Sequence, residues 1–362
     1  MDIRITTFNI EWMVSVFGGR WADWDGTIPD AFPGRRLGDI TLEPVPDMPA
    51  LIARITGVID AIDPDILCVQ EGPPRRDQME AFVDRHLGGR FGVVTANSQW
   101  QTNHVLIRKG LPLDHTADDP KDRATTLRWS GGPWYPWGLV AAEARKLQRY
   151  HRQPVRLMLT PDAADPDAPR LELISLHTKS KFSKLRTRQQ WERRETAAVL
   201  DALNVRQKLS AEIALLRRHI EAQIDAEGSD HAILVLGDLN DGPAADLLEG
   251  EFLLHNIIDQ LLGTILSPQT RMRHAMSDDV LATSATTRFH NPLADGELTE
   301  ELIDHMLISD GLATGRAGVL FRPGSCAVDR PAWEAQNEEA DDQDIRQLRP
   351  SDHLPVSGIV AF

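Results

Sequence analysis

The segment Ala232–Asp241, AILVLGDLND, decides how the rest of the sequence is interpreted. Its first five residues are uncharged and apolar, which is typical of a strand buried on both faces of a sheet. Gly237 then allows a sharp change of backbone direction, and Asp238, Asn240 and Asp241 follow it. The segment therefore predicts a rigid strand that presents carboxylate and amide groups at its carboxyl end, where open sheets bind their ligands. An ordinary turn is the alternative that this segment alone leaves open.

The composition is that of a globular protein with an acidic surface. The chain has 362 residues, of which 41% are hydrophobic and 26% are charged, and no run approaches the ~18 apolar residues of a membrane helix. The formal net charge of −15 argues against broad binding to duplex nucleic acid, although a bound cation reverses the local charge at a phosphate site. Cys68 and Cys326 are the only cysteines, and two free buried thiols favour a reducing cytoplasm.

We expect a single domain over residues 1–362, because no internal repeat or clear linker interrupts the chain. Residues 14–49 lack a sustained period and predict a long surface insertion, in which Trp21 and Trp24 either stack on a ligand or, as we favour, pack the loop. Residues 184–227 show a helical period and predict a long helix that covers a sheet face. A dimer through this helix is possible, and the oligomeric state stays open.

Other predicted strands also end in polar side chains. Ile3–Ile10 alternates apolar and polar residues and carries Asn9 at its end, and the short apolar strand Ile66–Val69 is followed by Glu71. A third apolar strand is followed by His177. We expect these groups to meet partners, because burying an unpaired polar group is costly, while solvated turns are the alternative.

Two carboxylate–imidazole pairs lie near the end of the chain. Asp304 and His305 are embedded in the apolar segment LIDHMLIS, which predicts a short strand with Asp304 inside it. Asp352 and His353 precede the predicted last strand, in PSDHLPV. His353 is the natural partner of Asp304, and an imidazole oriented by a carboxylate is the usual general base at neutral pH.

The oxygen ligands predict a hard divalent cation. Mg²⁺ binds through one or two carboxylates and keeps waters and substrate phosphate as its other ligands. Glu71, Asp238 and Asp352 suit this role, whereas the sequence lacks the spaced Cys and His ligands of a zinc site. Such a site fits phosphoester hydrolysis, which needs an activated water and stabilised charge on the phosphoryl oxygens.

Six motifs in order resemble those of the endonuclease/exonuclease/phosphatase superfamily. They are FNIEW, CVQEG, SLHTK, LGDLND, LIDHMLIS and PSDHLPV, and they span residues 8 to 356. Relatives include DNase I-like nucleases, abasic-site endonucleases, inositol polyphosphate phosphatases and neutral sphingomyelinases. The resemblance implies an α/β fold, a four-layer αββα sandwich of two packed mixed β-sheets flanked by helices, with a Mg²⁺ or Mn²⁺ site at one edge of the sheets.

The resemblance implies which residues hold the cation and the phosphate. Glu71 would bind the metal, and Asp352 would hold the metal side of the site together with Asn9. Asn9 and Asn240 would contact phosphate or metal-bound water. Glu11 matches a position that varies among relatives, so no role is transferred to it.

The resemblance also implies which residues carry the proton transfers. Asp238 would orient or activate the attacking water, and Asp304 would pair with His353. His177 would lie near the scissile phosphate, where other branches have tyrosine. The residue after Asp304 is often aromatic in relatives and is His305 here, to which we transfer no catalytic role.

The substrate is less well defined than the reaction. Lys179 and Lys181 begin a basic segment after His177, and segment 129–137 (WSGGPWYPW) is rich in aromatic residues. Together they predict a surface for phosphate contact and base stacking, although a solvated helix start and a packed loop are alternatives. We therefore expect a nuclease or phosphodiesterase acting on DNA or RNA. The alternative substrate is a small phosphorylated metabolite or lipid headgroup, with residues 14–49 as a pocket wall. A non-catalytic scaffold is disfavoured because the motif Asp and His residues are present.

Overall fold

The structure is a computed structural model that describes residues 1–38, 40–119, 121–122, 149–243, 246–252, 254–339 and 345–362. The aromatic segment 129–137 and part of the acidic segment 334–344 lie outside these residues. The strands β1 to β17 are, in chain order, Asp2–Asn9, Arg35–Leu37, Ile40–Leu42, Ile66–Gly72, Phe91–Thr95, Thr102–Arg108, Asp114–Ala117, Val155–Thr160, Leu171–His177, Ala232–Asp238, Met272–His274, Thr287–Asn291, Glu297–Glu301, Asp304–Ser309, Leu320–Phe321, Ala327–Val328 and Val356–Ala361. The helices α1 to α9 are Met48–Ile62, Arg76–His86, Arg188–Glu192, Thr196–Glu227, Leu247–Phe252, Ile257–Leu262, Asp278–Thr283, Asp310–Thr314 and Arg330–Glu334.

Two large mixed sheets form the centre of the fold. The strand order of the first sheet is β15-β17-β1-β4-β6-β5, with β16 also paired to β17, and that of the second is β11-β14-β10-β9-β8-β7. The parallel pairs β1–β4 and β9–β10 lie in the middle of their sheets, with antiparallel strands beside them. Parallel pairs are normally buried on both faces, which fits their continuous apolar sequences.

The β10 strand shows how the layers pack. Leu234 and Leu236 point into the core between the two sheets, which also contains Ile5 of β1. Ile233 and Val235 point to the opposite face, where they pack under α4. Helices α1 and α2 cover the outer face of the first sheet in the same way. The four-layer αββα sandwich is therefore confirmed.

Residues 14–49 were predicted to form a surface insertion, but the first residues of this segment are buried. A 3₁₀ helix over Met13–Phe17 is buried throughout, so this part belongs to the core under α1 rather than to the surface. Trp24 packs edge-on against Phe17, with ring centroids 5.6 Å apart, and Trp21 packs in the same way against Trp100 at 5.1 Å. Both indoles pack the loop, which is the use that we favoured.

The predicted long helix starts later than residue 184. The short helix α3 begins after Thr187, whose side chain accepts a hydrogen bond from the amide of Gln190. The chain then turns at Arg194, which has a positive φ of 51°, and α4 begins at Thr196. Leu185 and Trp191, which precede this turn, pack in a cluster with the start of α4. Ile213 and Leu216, farther along α4, lie in the core beneath it.

Candidate active site

The strand register brings the predicted site residues together. Asp238 at the end of β10 pairs with His177 at the end of the parallel strand β9. It also pairs with Asp304 of the antiparallel strand β14. Asp304 is therefore the first residue of its strand, not an interior one as the sequence predicted, because an antiparallel strand begins where its neighbour ends. On the first sheet, Asn9 of β1 lies beside Gln70 of β4, next to Glu71.

Gly237 allows this edge to form. Its φ is +138°, and a Cβ atom at this position would lie 1.9 Å from the carbonyl oxygen of Leu176. Only glycine permits β9 and β10 to approach so closely just before His177 and Asp238.

Asp304 and His353 form the predicted carboxylate–imidazole pair. Nδ1 of His353 donates to Oδ2 of Asp304 over 2.8 Å, and both residues are buried. Burial opposes protonation of this imidazole, but the charges of Asp304, Asp352 and Asp238 outweigh it and raise the pKa of His353 well above its usual value. Asp304 thus holds the imidazole of His353 in one orientation, and the surrounding carboxylates favour its protonated form.

Asp238 lies at the centre of the candidate site and contacts several of its other residues. Its Oδ2 accepts from Nδ2 of Asn9 at 3.0 Å and lies 3.2 Å from Nε2 of His177 and 3.9 Å from Nε2 of His353. Its Oδ1 accepts from the amide of Asn240 at 2.8 Å. Burial alone would raise its pKa, but the neighbouring imidazoles and this amide lower it well below the usual range, so Asp238 is ionised.

Glu71 lies on the first sheet and faces the site around Asp238. It has a positive φ of 55°, at an irregularity in the pairing of β4 with β6 between Val69 and Gly72. Its Oε2 accepts from the amide of Trp12 at 2.7 Å, and its Oε1 lies 3.9 Å from Nε2 of His177. The two sheets therefore contribute carboxylates to a single site, as the sequence analysis requires.

A buried arginine that the sequence did not single out lies behind His177. Arg152 donates to the side chain of Gln101 and, over 2.7 Å, to the carbonyl oxygen of Thr178. Burial, and then the charge of Arg152, lower the pKa of His177. His177 Nδ1 is buried and lacks a hydrogen-bond partner among the described residues.

Glu11 is a second feature that sequence reasoning did not resolve. Its carboxylate forms a two-fold ion pair with Arg349, through contacts of 2.6 and 3.0 Å. Nε of Arg346 lies 3.4 Å from the same carboxylate, which also accepts from the amide of Asp352 at 2.9 Å. Arg349 directly precedes the PSDHLPV motif, but no spacing rule connects it to Glu11.

The basic segment is mostly engaged within the protein. Lys181 is surrounded by Asp241, Asp246 and Glu249, so its ammonium is neutralised rather than presented to a substrate. Lys179 is partly buried and donates to the carbonyl oxygen of Ser180. Burial, and then neighbouring cations, lower the pKa of Lys179 to about 8.

The donor set fits a hard divalent cation. Asp352 keeps 41% of its side chain exposed, yet loss of hydration and then the charges of Glu11 and Glu71 raise its pKa to about 7. A cation relieves such crowding of carboxylates. Oδ1 of Asp304 is buried without a hydrogen-bond partner in the described part of the chain, so this oxygen is a further candidate ligand atom. Ligand atoms of Asp238, Asp304 and His353 lie within 4.8 Å of one another, but the last two are already paired.

The fold and this site define a phosphoester hydrolase of the DNase I-like class. The chain belongs to the endonuclease/exonuclease/phosphatase family, whose model matches residues 7–353. No curated protein matches the chain in sequence.

Solved structures with low sequence identity are similar to this chain. The AP endonuclease LMAP from Leishmania major is 13% identical, with a TM-score of 0.53, over 100% of this chain and 88% of that one. An endonuclease/exonuclease/phosphatase from Bacteroides vulgatus is 14% identical, with a TM-score of 0.47 over 100% and 99% of the two chains. Truncated Caenorhabditis elegans TDP2 is 13% identical, with a TM-score of 0.46 over 100% and 98%. At these identities the likeness extends to the fold alone.

Proposed function

We propose that this protein is a Mg²⁺- or Mn²⁺-dependent nuclease that hydrolyses phosphodiester bonds of DNA or RNA. The observation that carries the proposal is the convergence on Asp238 of Asn9, His177 and His353 from both sheets, within 3.0 to 3.9 Å. Glu71 and Asp352, with Asn9, are the residues that would hold the cation.

Each side chain of the candidate site has its own role in the proposed hydrolysis. A bound divalent cation supplies charge stabilisation at the phosphoryl oxygens. Asp238 is ionised and accepts hydrogen bonds from three sides, so it suits the orientation and deprotonation of the attacking water. His353 is oriented by Asp304 through a contact of 2.8 Å and suits charge stabilisation and proton donation at the phosphate. Asn240 and His177 complete the wall that faces the phosphate.

Surface chemistry in the segment that follows His177 supports a nucleic-acid substrate. Phe182 is exposed, and the guanidinium of Arg186 lies 3.5 Å from the centre of its ring. A planar aromatic ring with a stacked cation is the type of surface on which bases stack in single-stranded nucleic acid. Lys179 and Lys181 were predicted to bind phosphate, and of the two only Lys179 is outside a carboxylate cluster, so we retain only Lys179.

The test is hydrolysis of plasmid, single-stranded oligonucleotide, RNA and a generic phosphodiester, each with Mg²⁺, Mn²⁺ or EDTA. We expect cleavage of nucleic acid that needs the cation and that falls by about 10²- to 10⁴-fold in His353→Ala. His115→Ala removes an exposed imidazole from β7 and is the matched control, with no loss expected. Cleavage that survives in His353→Ala or in EDTA would refute the proposal.

A second candidate is hydrolysis of a small phosphorylated metabolite or lipid headgroup. A cavity of about 220 Å³ adjoins Glu11 and Asp352, and Thr41, Leu42 and Glu43 of the 14–49 insertion form part of its wall. A wall of this kind supports the alternative substrate. Turnover of small phosphoesters without nicking of plasmid would favour it.

The cellular setting that we propose is a reducing compartment such as the cytoplasm. Cys68 and Cys326 are both buried free thiols, and burial raises the pKa of Cys68 to about 12, so neither is poised for oxidation. No helix among the described residues is long and apolar enough to cross a membrane.

A further inference from the structure

Two histidines of the second sheet form a hydrogen-bonded pair beside the loop that carries Asn240. His274 is the last residue of β11, and His305 is the second residue of β14. Nε2 of His274 lies 2.9 Å from Nδ1 of His305, and Nε2 of His305 lies 2.8 Å from the backbone oxygen of Asp241. The two rings pack edge to face, with centroids 5.2 Å apart. These two side chains are named the imidazole pair below.

The contacts of the imidazole pair define where its protons lie. The amide of Met276 donates to Nδ1 of His274 over 3.1 Å, so this nitrogen carries no proton. The proton of His274 is therefore on Nε2, which donates to Nδ1 of His305. Because Nδ1 of His305 accepts this bond, the proton of His305 is on Nε2 and is donated to the oxygen of Asp241. One backbone amide thus sets a single direction of donation through both rings.

The oxygen that accepts this last hydrogen bond follows Asn240 directly in the chain. Asn240 has a positive φ of 53°, which residues other than glycine adopt rarely. Its amide donates to Asp238, and its side chain donates to the carbonyl oxygen of Thr178 at 3.2 Å. Asp241 is completely buried, and among the described residues His305 is the only donor to its carbonyl oxygen. A buried carbonyl needs such a donor, so the imidazole pair fixes the peptide that follows Asn240.

The strand β14 supports this loop at two points, one on each side of Asp304. The amide of Leu239 donates to the carbonyl oxygen of Ile303 at 2.9 Å, and the second bond is the one from His305. Asp304, between them, accepts the hydrogen bond from His353. The loop and the carboxylate that orients His353 therefore share one support. The other ring of the imidazole pair comes from β11, which is the edge strand of the sheet.

We propose that His274 and His305 are positioning residues that hold Asn240 in place for its contact with the substrate phosphate. His305 acts through the backbone of Asp241, and His274 acts by fixing the tautomer of His305. An apolar ring at either position would fill the space but would not continue the donation to Asp241. The inference rests on the proposed function and adds two residues to which no role had been given.

The kinetics of oligonucleotide hydrolysis at saturating Mg²⁺ test this role. His274→Phe keeps a ring but removes the donor, so that His305 is free to carry its proton on Nδ1 instead. We expect kcat to fall about tenfold with KM changed by less than about threefold, because a displaced Asn240 affects the reacting phosphate. His274→Gln can accept from the amide of Met276 and donate to His305, and it should restore kcat to within about threefold of the natural chain.

His86→Phe is the matched control. The ring of His86 packs against Phe82 in α2, and its Nε2 lacks a hydrogen-bond partner among the described residues, so that a phenyl ring loses no bond there. We expect its kcat to equal that of the natural chain. Circular dichroism during urea unfolding shows whether each variant folds.

Nitrogen NMR of protein labelled with ¹⁵N-histidine reads the tautomers directly. We expect a protonated Nε2 and an unprotonated Nδ1 on both His274 and His305 of the natural chain at neutral pH. His305 should lose its single tautomer in His274→Phe and keep it in His274→Gln. A merely structural role for His274 would lower stability in urea without this change in His305.

The outcomes separate this inference from the proposed function. A protonated Nδ1 on either ring of the natural chain would overturn the inference, and this measurement decides the question if His274→Phe does not fold. An unchanged kcat in a folded His274→Phe, or a His274→Gln variant that is equally impaired, would also overturn it and would leave the nuclease in place. A natural chain that cleaves no nucleic acid would overturn the proposed function, and the positioning role with it.

Discussion

His104 is a buried imidazole that supports Glu71 from the neighbouring strand. Its Nε2 donates to the carbonyl oxygen of Pro73 at 2.8 Å, so its Nδ1 accepts from the hydroxyl of Thr95 at 3.0 Å. The ring lies so close to Gly72 that a Cβ there would be 2.3 Å from Cδ2. Complete burial lowers the pKa of His104 to about 4, and the residue is neutral at physiological pH.

This shift predicts loss of stability in acid. The pKa of His104 is lower in the folded than in the unfolded chain, so the unfolded chain binds more protons between about pH 6.5 and pH 4. The contribution of neutral His104 to the free energy of unfolding is fully present above pH 6.5. It falls by about 3 kcal/mol as the pH drops to 4. His104→Gln keeps one donor and one acceptor but does not titrate. We expect urea unfolding at pH 7 and pH 4 to show a smaller decrease for this variant, and equal decreases would contradict the assignment.

The sequence predicted which strand-end side chains lie close together and missed the neighbours that long side chains supply. Asn9, His177 and Asp238 end buried strands, so the position of the backbone alone brings them together. Arg152 and Arg349 contact their partners through long, flexible side chains. Sequence periodicity predicts the position of the backbone but not that of a guanidinium. The same flexibility explains the difference at Lys181, which was predicted to contact phosphate. Its basic neighbours in sequence do not indicate that carboxylates surround its ammonium in the structure.

At the scale of elements, the contact between β9 and β10 sets the geometry of Asp238. Gly237→Ala would place a Cβ atom 1.9 Å from the backbone oxygen of Leu176, at a φ that side chains rarely adopt. The strands would have to separate at the site, and we expect a loss of at least about 3 kcal/mol in the free energy of unfolding. Gly92→Ala in β5 is the matched control, because its nearest contact would be an ordinary 3.8 Å.

Urea unfolding and Mn²⁺ binding measure the two consequences of Gly237→Ala separately. The control variant should change stability by less than about 1 kcal/mol and leave Mn²⁺ binding intact. If Gly237→Ala behaved like Gly92→Ala, the close approach of β9 and β10 would not be needed for the site.

Elements with strong local signals were predictable, and those fixed by distant contacts were not. The helix Met48–Ile62 has strong local signals of this kind, because Asp47 caps its start and Asp63 ends it with a positive φ of 50°. The direction of β14 could not be predicted, since periodicity gives a strand no direction, and Asp304 was therefore placed inside its strand rather than at its start. The turn at Arg194 also has no signal, because it depends on how α3 and α4 pack.

At the scale of the molecule, the site exists only when both sheets are in place. The candidate residues run from Asn9 to His353, and β1 pairs with the last strand, β17, in the middle of the first sheet. Glu71 comes from that sheet, while His177, Asp238 and Asp304 come from the second. The family resemblance of the six ordered motifs implied this architecture, and each motif lies at a strand end or beside one. The pocket wall and the packing of the 14–49 insertion depend on contacts that only the whole fold creates.

A cation held between the two sheets should stabilise the whole molecule. Binding only to the folded state adds about 2.7 kcal/mol to the free energy of unfolding when free Mn²⁺ is a hundredfold above its dissociation constant. We expect this increase in urea unfolding of the natural chain with Mn²⁺ relative to EDTA. Glu71→Gln should reduce it by at least about 1.3 kcal/mol, the effect of a tenfold loss of affinity, because the variant removes the carboxylate that faces Asp238 across the sheets. Glu192→Gln, on the exposed face of α3, is the matched control and should keep it. Equal stabilisation of the Glu71 variant and the natural chain would mean that the ion binds elsewhere, and the cation site would have to be reassigned.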